Sequence, residues 1–138
     1  LSIGGQSFVE GLQKRFQVGR DEAVAAAKAM DPASALDIDA AVKAFGDELG
    51  VGIERSIAYL KSSGEAERVD RILLCGGGAR IHGLPQALAE RQRVPVELAD
   101  PLRKISFAPG VFGTDDPKTV APQLTVAIGL ALRKAQEK

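Results

Sequence analysis

The apolar run Ile72-Leu73-Leu74-Cys75 ends on three consecutive glycines, Gly76-Gly77-Gly78. Four apolar residues without alternation suit a strand buried on both faces, and the glycines force the chain into a turn directly after it. Pro85 then suits the first turn of a helix carrying Leu84 and Leu88. Residues 94–98, Val-Pro-Val-Glu-Leu, alternate as a second strand, with Pro95 marking an edge or a strand start. Strand, turn, helix and strand make a βαβ-sized unit, so the chain is expected to be α/β.

Around this unit the sequence reads as helical. Phe8, Leu12 and Phe16 recur every four residues, one stripe of a short helix over residues 7–16 that Gly19 closes. Residues 21–30 are alanine-rich, begin with two acids and stop at Asp31-Pro32, which predicts a second helix and a hairpin with the first. From Asp37, Ile38, Val42, Phe45, Leu49, Ile53, Ile57 and Leu60 fall at intervals of three and four, one face of a long helix ending near Ser62-Ser63-Gly64. Gly46, Gly50 and Gly52 predict a bend or break in it, each costing about 1 kcal/mol against alanine.

Residues 100–118 hold three prolines and little periodicity, so a loop is expected there, with Ile105, Phe107, Val111 and Phe112 available to pin it. A last helix is expected from about Pro122 through Leu124, Ile128 and Leu132 to a basic end at Arg133 and Lys134. Two strands are too few for a comfortable α/β domain, since isolated strand pairs are marginal. With Leu1 in place of an initiator methionine, the chain is expected to be a fragment whose missing strands lie upstream.

Charge and cysteine usage narrow the function classes. Eighteen basic and eighteen acidic residues cancel, leaving no electrostatic footprint for nucleic acid. Cys75 and His82 are each the only residue of their kind, which excludes an internal disulfide and a Cys/His metal cluster and points to a reducing, cytoplasmic setting. No apolar run approaches the roughly 20 residues of a membrane span, and a soluble chain is expected.

The glycine turn is the main candidate for chemistry, because backbone amides can approach a ligand where side chains are absent. A P-loop fails here: Leu84 follows Gly83 where Lys-Ser/Thr should stand. The dinucleotide fingerprint fails as well, with Ile81 where the third glycine is needed, although Glu97 lies at a plausible ribose distance. By residue type alone, a purely structural turn beneath a helix remains equally open. Cys75 reads as a small buried side chain, and His82 as either a local hydrogen-bonding group or the edge of a ligand site. Asp115-Asp116 before Pro117, and the basic Arg133, Lys134 and Lys138, read as structural, and Glu90, Arg91 and Arg93 as a solvated helix surface.

Residues 72–79, Ile-Leu-Leu-Cys-Gly-Gly-Gly-Ala, resemble the adenosine motif of the actin-like ATPase superfamily. The sequel Arg80-Ile81-His82-Gly83-Leu84-Pro85, then Val94-Pro95-Val96, Asp100-Pro101-Leu102, Ala121-Pro122 and residues 127–133, resembles the PilM group of type IV pilus assembly proteins in order and spacing. Ile3-Gly4-Gly5 before an amphipathic helix is similar to the entry into that family's subdomain 2B. The resemblance implies a fragment of the actin-like fold: helical subdomain 2B over residues 1–66, and the C-terminal part of subdomain 2A over residues 67–138.

By the same resemblance, Gly76, Gly77, Gly78 and Ala79 would border the adenosine of ATP, Gly5 its ribose, and Lys28 the ribose and adenine. The family's paired glutamate falls on Ala25, so that carboxylate is absent or displaced to Glu22. The phosphate loops and their magnesium chemistry would precede Leu1; weak ATPase activity at most is implied for a longer parent and none for this chain. Also implied are a cytoplasmic scaffold at the inner membrane, a PilN-type N-terminal peptide as partner bound mainly through the half absent here, the pilus assembly machinery, and twitching motility. Alternatives are an FtsA-like division protein, a nucleotide-free scaffold like the type II secretion L protein, and an NAD(P)-dependent enzyme.

Overall fold

A computed structural model describes residues 4–28, 36–65 and 67–133. Three helices, α1 (Gly5–Phe16), α2 (Arg20–Ala27) and α3 (Asp39–Ser62), precede strand β1 (Ile72–Leu74) and a single 3-10 turn at Gly77–Arg80. Helix α4 (Leu84–Gln92), strand β2 (Val96–Leu98) and helix α5 (Pro117–Ala131) follow. The strands pair in parallel, Ile72 with Val96 and Leu74 with Leu98, and α4 is the crossover between them, so the expected βαβ unit is present. Pro95 sits just before β2, where its carbonyl accepts from the Ile72 N–H at 2.9 Å and no N–H is missed.

Helices α1 and α2 form the expected hairpin with shifted ends. Helix α1 stops at Gln17, left-handed at φ 56°, rather than at Gly19. Gly19 instead precedes α2, its carbonyl accepting from the Ala23 N–H. The stop expected at Asp31-Pro32 lies outside the described residues. Phe8, Val9 and Leu12 from α1 pack with Ala23, Ala26 and Ala27 from α2, and the small alanines let the two helices lie close. Phe45 of α3 meets Phe8 with ring centroids 5.1 Å apart.

The predicted break in α3 does not occur: one helix runs through all 24 residues. Two of the three glycines, Gly46 and Gly50, face α4 instead. A Cβ on Gly46 would stand 3.1 Å from the Ala87 Cβ, and one on Gly50 would collide with the Arg91 side chain. Close packing thus offsets the propensity cost, because the two helices approach along a line without side chains. Arg91 is correspondingly only part-exposed rather than freely solvated. It crosses to α3, donating to Asp47 at 2.9 Å and to both oxygens of Glu54 at 3.0 and 3.2 Å, while Glu90 and Arg93 stay exposed. Its hydrogen bonds to Asp47 first and Glu54 second raise the Arg91 pKa above its ordinary value, so its charge is fixed across the physiological range.

The strand pair departs from the expectation of burial on both faces. Leu73 is 54% exposed, and Cys75 is exposed rather than buried. Among the described residues the sheet holds two strands, with Ile72 and Leu74 half-buried on one face of β1 and Leu73 largely open on the other. Helix α5 begins at Pro117, five residues before the expected Pro122, because the Asp116 carboxylate accepts from the Lys118 N–H at 3.1 Å and caps it. Pro122 lies inside the helix, buried. In the loop between β2 and α5, Phe107 and Phe112 meet edge to face at 4.9 Å, but Phe107 and Val111 remain exposed, so the pair braces the loop against itself. Among the described residues no helix is long and apolar enough to cross a membrane.

Candidate functional site

The glycine turn is held from three directions by backbone hydrogen bonds. Gly76, at φ 83°, donates its N–H to the Pro122 carbonyl of α5 at 2.7 Å. That positive φ suits glycine far better than a residue with a Cβ. Ile81 donates to Gly78 at 3.2 Å and closes the 3-10 turn, and His82 donates to the Ala27 carbonyl at 2.8 Å. This last bond satisfies a carbonyl that the end of α2 leaves without an intrahelical partner. The backbone of His82 therefore ties α2 to the turn, and its side chain is exposed.

On the other side, the N-terminus of α1 presses directly on the turn. A Cβ on Gly5 would stand 2.9 Å from the Gly78 Cα, and one on Gly78 would stand 3.0 Å from the Gly5 N. Two glycines that the sequence separates by more than seventy residues meet backbone to backbone, a distance that only the missing side chains allow. Gly77, by contrast, points into open space, with nothing within 4 Å of the position a Cβ would take.

The three elements enclose a cleft of about 380 Å³. Gly5, Gln6 and Val9 line it from α1, and Arg20, Val24, Ala27 and Lys28 from α2 and its end. Gly77, Gly78, Arg80 and Ile81 complete it from the turn. The size falls in the range of small-molecule sites, about 300–1,000 Å³. A smaller apolar recess of about 200 Å³ lies on the far side of the Gly5–Gly78 contact, lined by Phe45, Leu49, Leu74, Cys75 and Ala79 among others.

Of the six residues singled out in the sequence, Gly5, Lys28, Gly77 and Gly78 therefore line one cleft. Gly76 shapes the entry to the turn, and Ala79 is buried behind it. Neither Ala25 nor Glu22 lines the cleft, and among the described residues no carboxylate does. Sequence reasoning missed Gln6, Arg20 and Arg80 as lining residues. Arg20 donates to the Gln6 side-chain oxygen at 2.9 Å, and Gln6 donates to Glu10 at 2.8 Å. Arg80 follows the glycines directly and was within reach of sequence reading. Arg20 was not, because the α1–α2 hairpin alone brings it beside Gln6.

Three comparisons bear on this arrangement. The chain is 34% identical over 114 residues to the cell shape-determining protein Mbl of Bacillus cereus (strain ATCC 10987 / NRS 248), a span of 81% of this chain and 30% of Mbl. Its fold matches a chain of a solved PilM-PilN type IV pilus biogenesis complex with a TM-score of 0.73 and 24% identity, covering 96% of this chain and 37% of that one. The chain thus spans about a third of the length of the relatives it matches. The family model for type IV pilus assembly protein PilM matches residues 1–135. With nearly the whole chain inside that match, this protein belongs to the type IV pilus assembly protein PilM family and carries part of its actin-like fold.

Proposed function

We propose that the cleft is the adenosine side of an ATP site, in a cytoplasmic scaffold for type IV pilus assembly at the inner membrane. The observation that carries this reading is the convergence of the α1 N-terminus, the end of α2 and the glycine turn on one cleft, with Gly5 and Gly78 in backbone contact. Residues 1–66 would form the subdomain 2B-like side and residues 67–138 the subdomain 2A-like side. The base would slot between the turn and α2, Gly77 leaving room for it and Val24 and Ala27 giving it an apolar wall. Lys28 and Gly5 would border the ribose, while Gly76 and Ala79 hold the turn in shape.

When bound, ATP would supply differential binding energy between two arrangements of the lobes, and so bias assembly. Hydrolysis would be weak at most, because no residue described in this chain is assigned to magnesium or the γ-phosphate. The similar solved structure is of a complex with PilN, which supports a PilN-type peptide and the pilus assembly machinery as partners, and through them a role in twitching motility. No partner-binding residue is assigned here. One observation favours a second reading, a nucleotide-free scaffold: among the described residues no carboxylate lines the cleft to accept from ribose hydroxyls.

Calorimetric titration of Mg-ATP into the full-length chain separates the two. Gly77→Asp is the control, since the new side chain meets nothing in the fold yet projects into the cleft. Saturable binding that Gly77→Asp abolishes is the expected result. Absence of binding by the folded, unaltered chain would sink the ATP reading and leave the nucleotide-free scaffold.

A further inference from the structure

The carbonyl of Pro122 serves two donors besides those of the α5 backbone. The Gly76 N–H reaches it at 2.7 Å and the Thr125 hydroxyl at 3.0 Å. A carbonyl has two lone pairs, so it can take an outside donor while it stays in a helix, and it does so best where it tilts away from the axis. Two residues here favour such a tilt. Proline at 122 lacks the N–H that the Lys118 carbonyl would accept from, and its ring crowds that carbonyl, which bends a helix. A threonine that bonds back to a carbonyl one turn before it bends a helix as well.

The place is an enclosed one: Ala121 and Pro122 are buried and Thr125 is half-buried. Gly76 leads into the turn that carries Gly77 and Gly78 to the cleft. A glycine has more backbone conformations open to it than any other residue, and the bond to Pro122 selects one of them. Thr125 does not itself line the cleft, so any effect it has on a ligand passes through Pro122 and Gly76.

We infer that Thr125 is a positioning residue for the cleft: its hydroxyl holds the Pro122 carbonyl in place for Gly76, and so holds the glycine turn ready for its ligand. The identity of that ligand rests on the nucleotide reading above, whereas the positioning of the turn rests on the hydrogen bonds alone.

The test compares Thr125→Val, which keeps the branched shape and loses the hydroxyl, with Thr125→Ser, which keeps the hydroxyl. Amide hydrogen exchange of the full-length chain reads Gly76, and calorimetric titration reads Mg-ATP. Loss of one neutral hydrogen bond corresponds to about two- to tenfold in an equilibrium constant. In Thr125→Val, exchange at Gly76 should be faster and Mg-ATP binding weaker, each by about that factor, and Thr125→Ser should restore both. Exchange in α3 and α4 should stay unchanged, which shows that the helical core is intact. Exchange at Gly76 that is unchanged or slower in Thr125→Val, or faster exchange spread equally over α3 and α4, would overturn the inference. So would faster exchange at Gly76 with Mg-ATP affinity unaltered. If the unaltered chain takes no Mg-ATP, the nucleotide reading fails, and the exchange at Gly76 with its serine rescue still decides whether Thr125 positions the turn.

Discussion

Helices α1 to α4 close a core among themselves, whereas β1, β2 and α5 leave much of their apolar surface open. On the closed side, Phe8, Leu12, Ala23, Val42, Phe45, Leu84 and Leu88 are all buried in one cluster. On the open side, Leu73, Leu98, Val126, Leu130 and Leu132 are exposed, Val126 by 70% and Leu130 by 60%. Parallel strands are ordinarily covered on both faces, a condition that β1 and β2 do not meet with Leu73 and Leu98 exposed. That the chain spans about a third of its relatives fits this asymmetry. The candidate cleft lies on the well-packed side, roofed by α1 and α2, and the open side reaches it through the Gly76–Pro122 hydrogen bond.

The contrast can be broken most severely at Leu88, which is fully buried between α4 and α3. Leu88→Ala is expected to cost about 2–5 kcal/mol in denaturant unfolding, the range for deleting a buried leucine side chain. A cost below 1 kcal/mol would mean that the helical core is looser than described. Next in size is Gly5→Ala, which drives a methyl group against the Gly78 backbone. Overpacking of this kind costs about 1–3 kcal/mol, and because backbone must move, the cleft should distort with it. Ligand affinity should therefore fall along with stability, and retention of both would deny the contact its role.

A subtler probe sharpens the account of α3 against α4. Gly50→Ala gains helix propensity but displaces the Arg91 fork from Asp47 and Glu54, so near-neutrality is expected in the unaltered chain. In an Arg91→Ala background the same change should stabilise by up to about 1 kcal/mol, and a double-mutant cycle by chemical denaturation reads the difference. The raised Arg91 pKa keeps its contribution complete from neutral pH up to the ordinary arginine range, to be lost as pH rises through the higher folded value. The effect should therefore be flat with pH across the physiological range. The smallest change is expected on the open side: Leu130→Ser should alter folding stability by no more than about 0.5 kcal/mol.

The same division governs what was legible in sequence. The α3 stripe, the βαβ unit and the glycine turn were readable because each is a local pattern of period or punctuation. The continuity of α3 was not, since Gly46 and Gly50 look like breaks until α4 is placed against them. Arg91 looks like a surface residue for the same reason. Strand β1 reads as buried from its composition, but burial depends on neighbours, and Leu73 is left more than half exposed by those among the described residues. At the cleft, Gly77 and Gly78 adjoin within one motif, but only the fold brings Gly5 and Lys28 to them, and Arg20 and Gln6 meet only through the hairpin.

Hydrogen exchange of the full-length chain, with and without Mg-ATP, tests most directly whether α1, α2 and the glycine turn form one ligand cleft. The account predicts slowed exchange at residues 76–81 and 20–28, with little change in the loop at residues 99–116. Slowing confined to that loop, or no slowing in a chain that binds Mg-ATP saturably, would contradict it and put the nucleotide elsewhere.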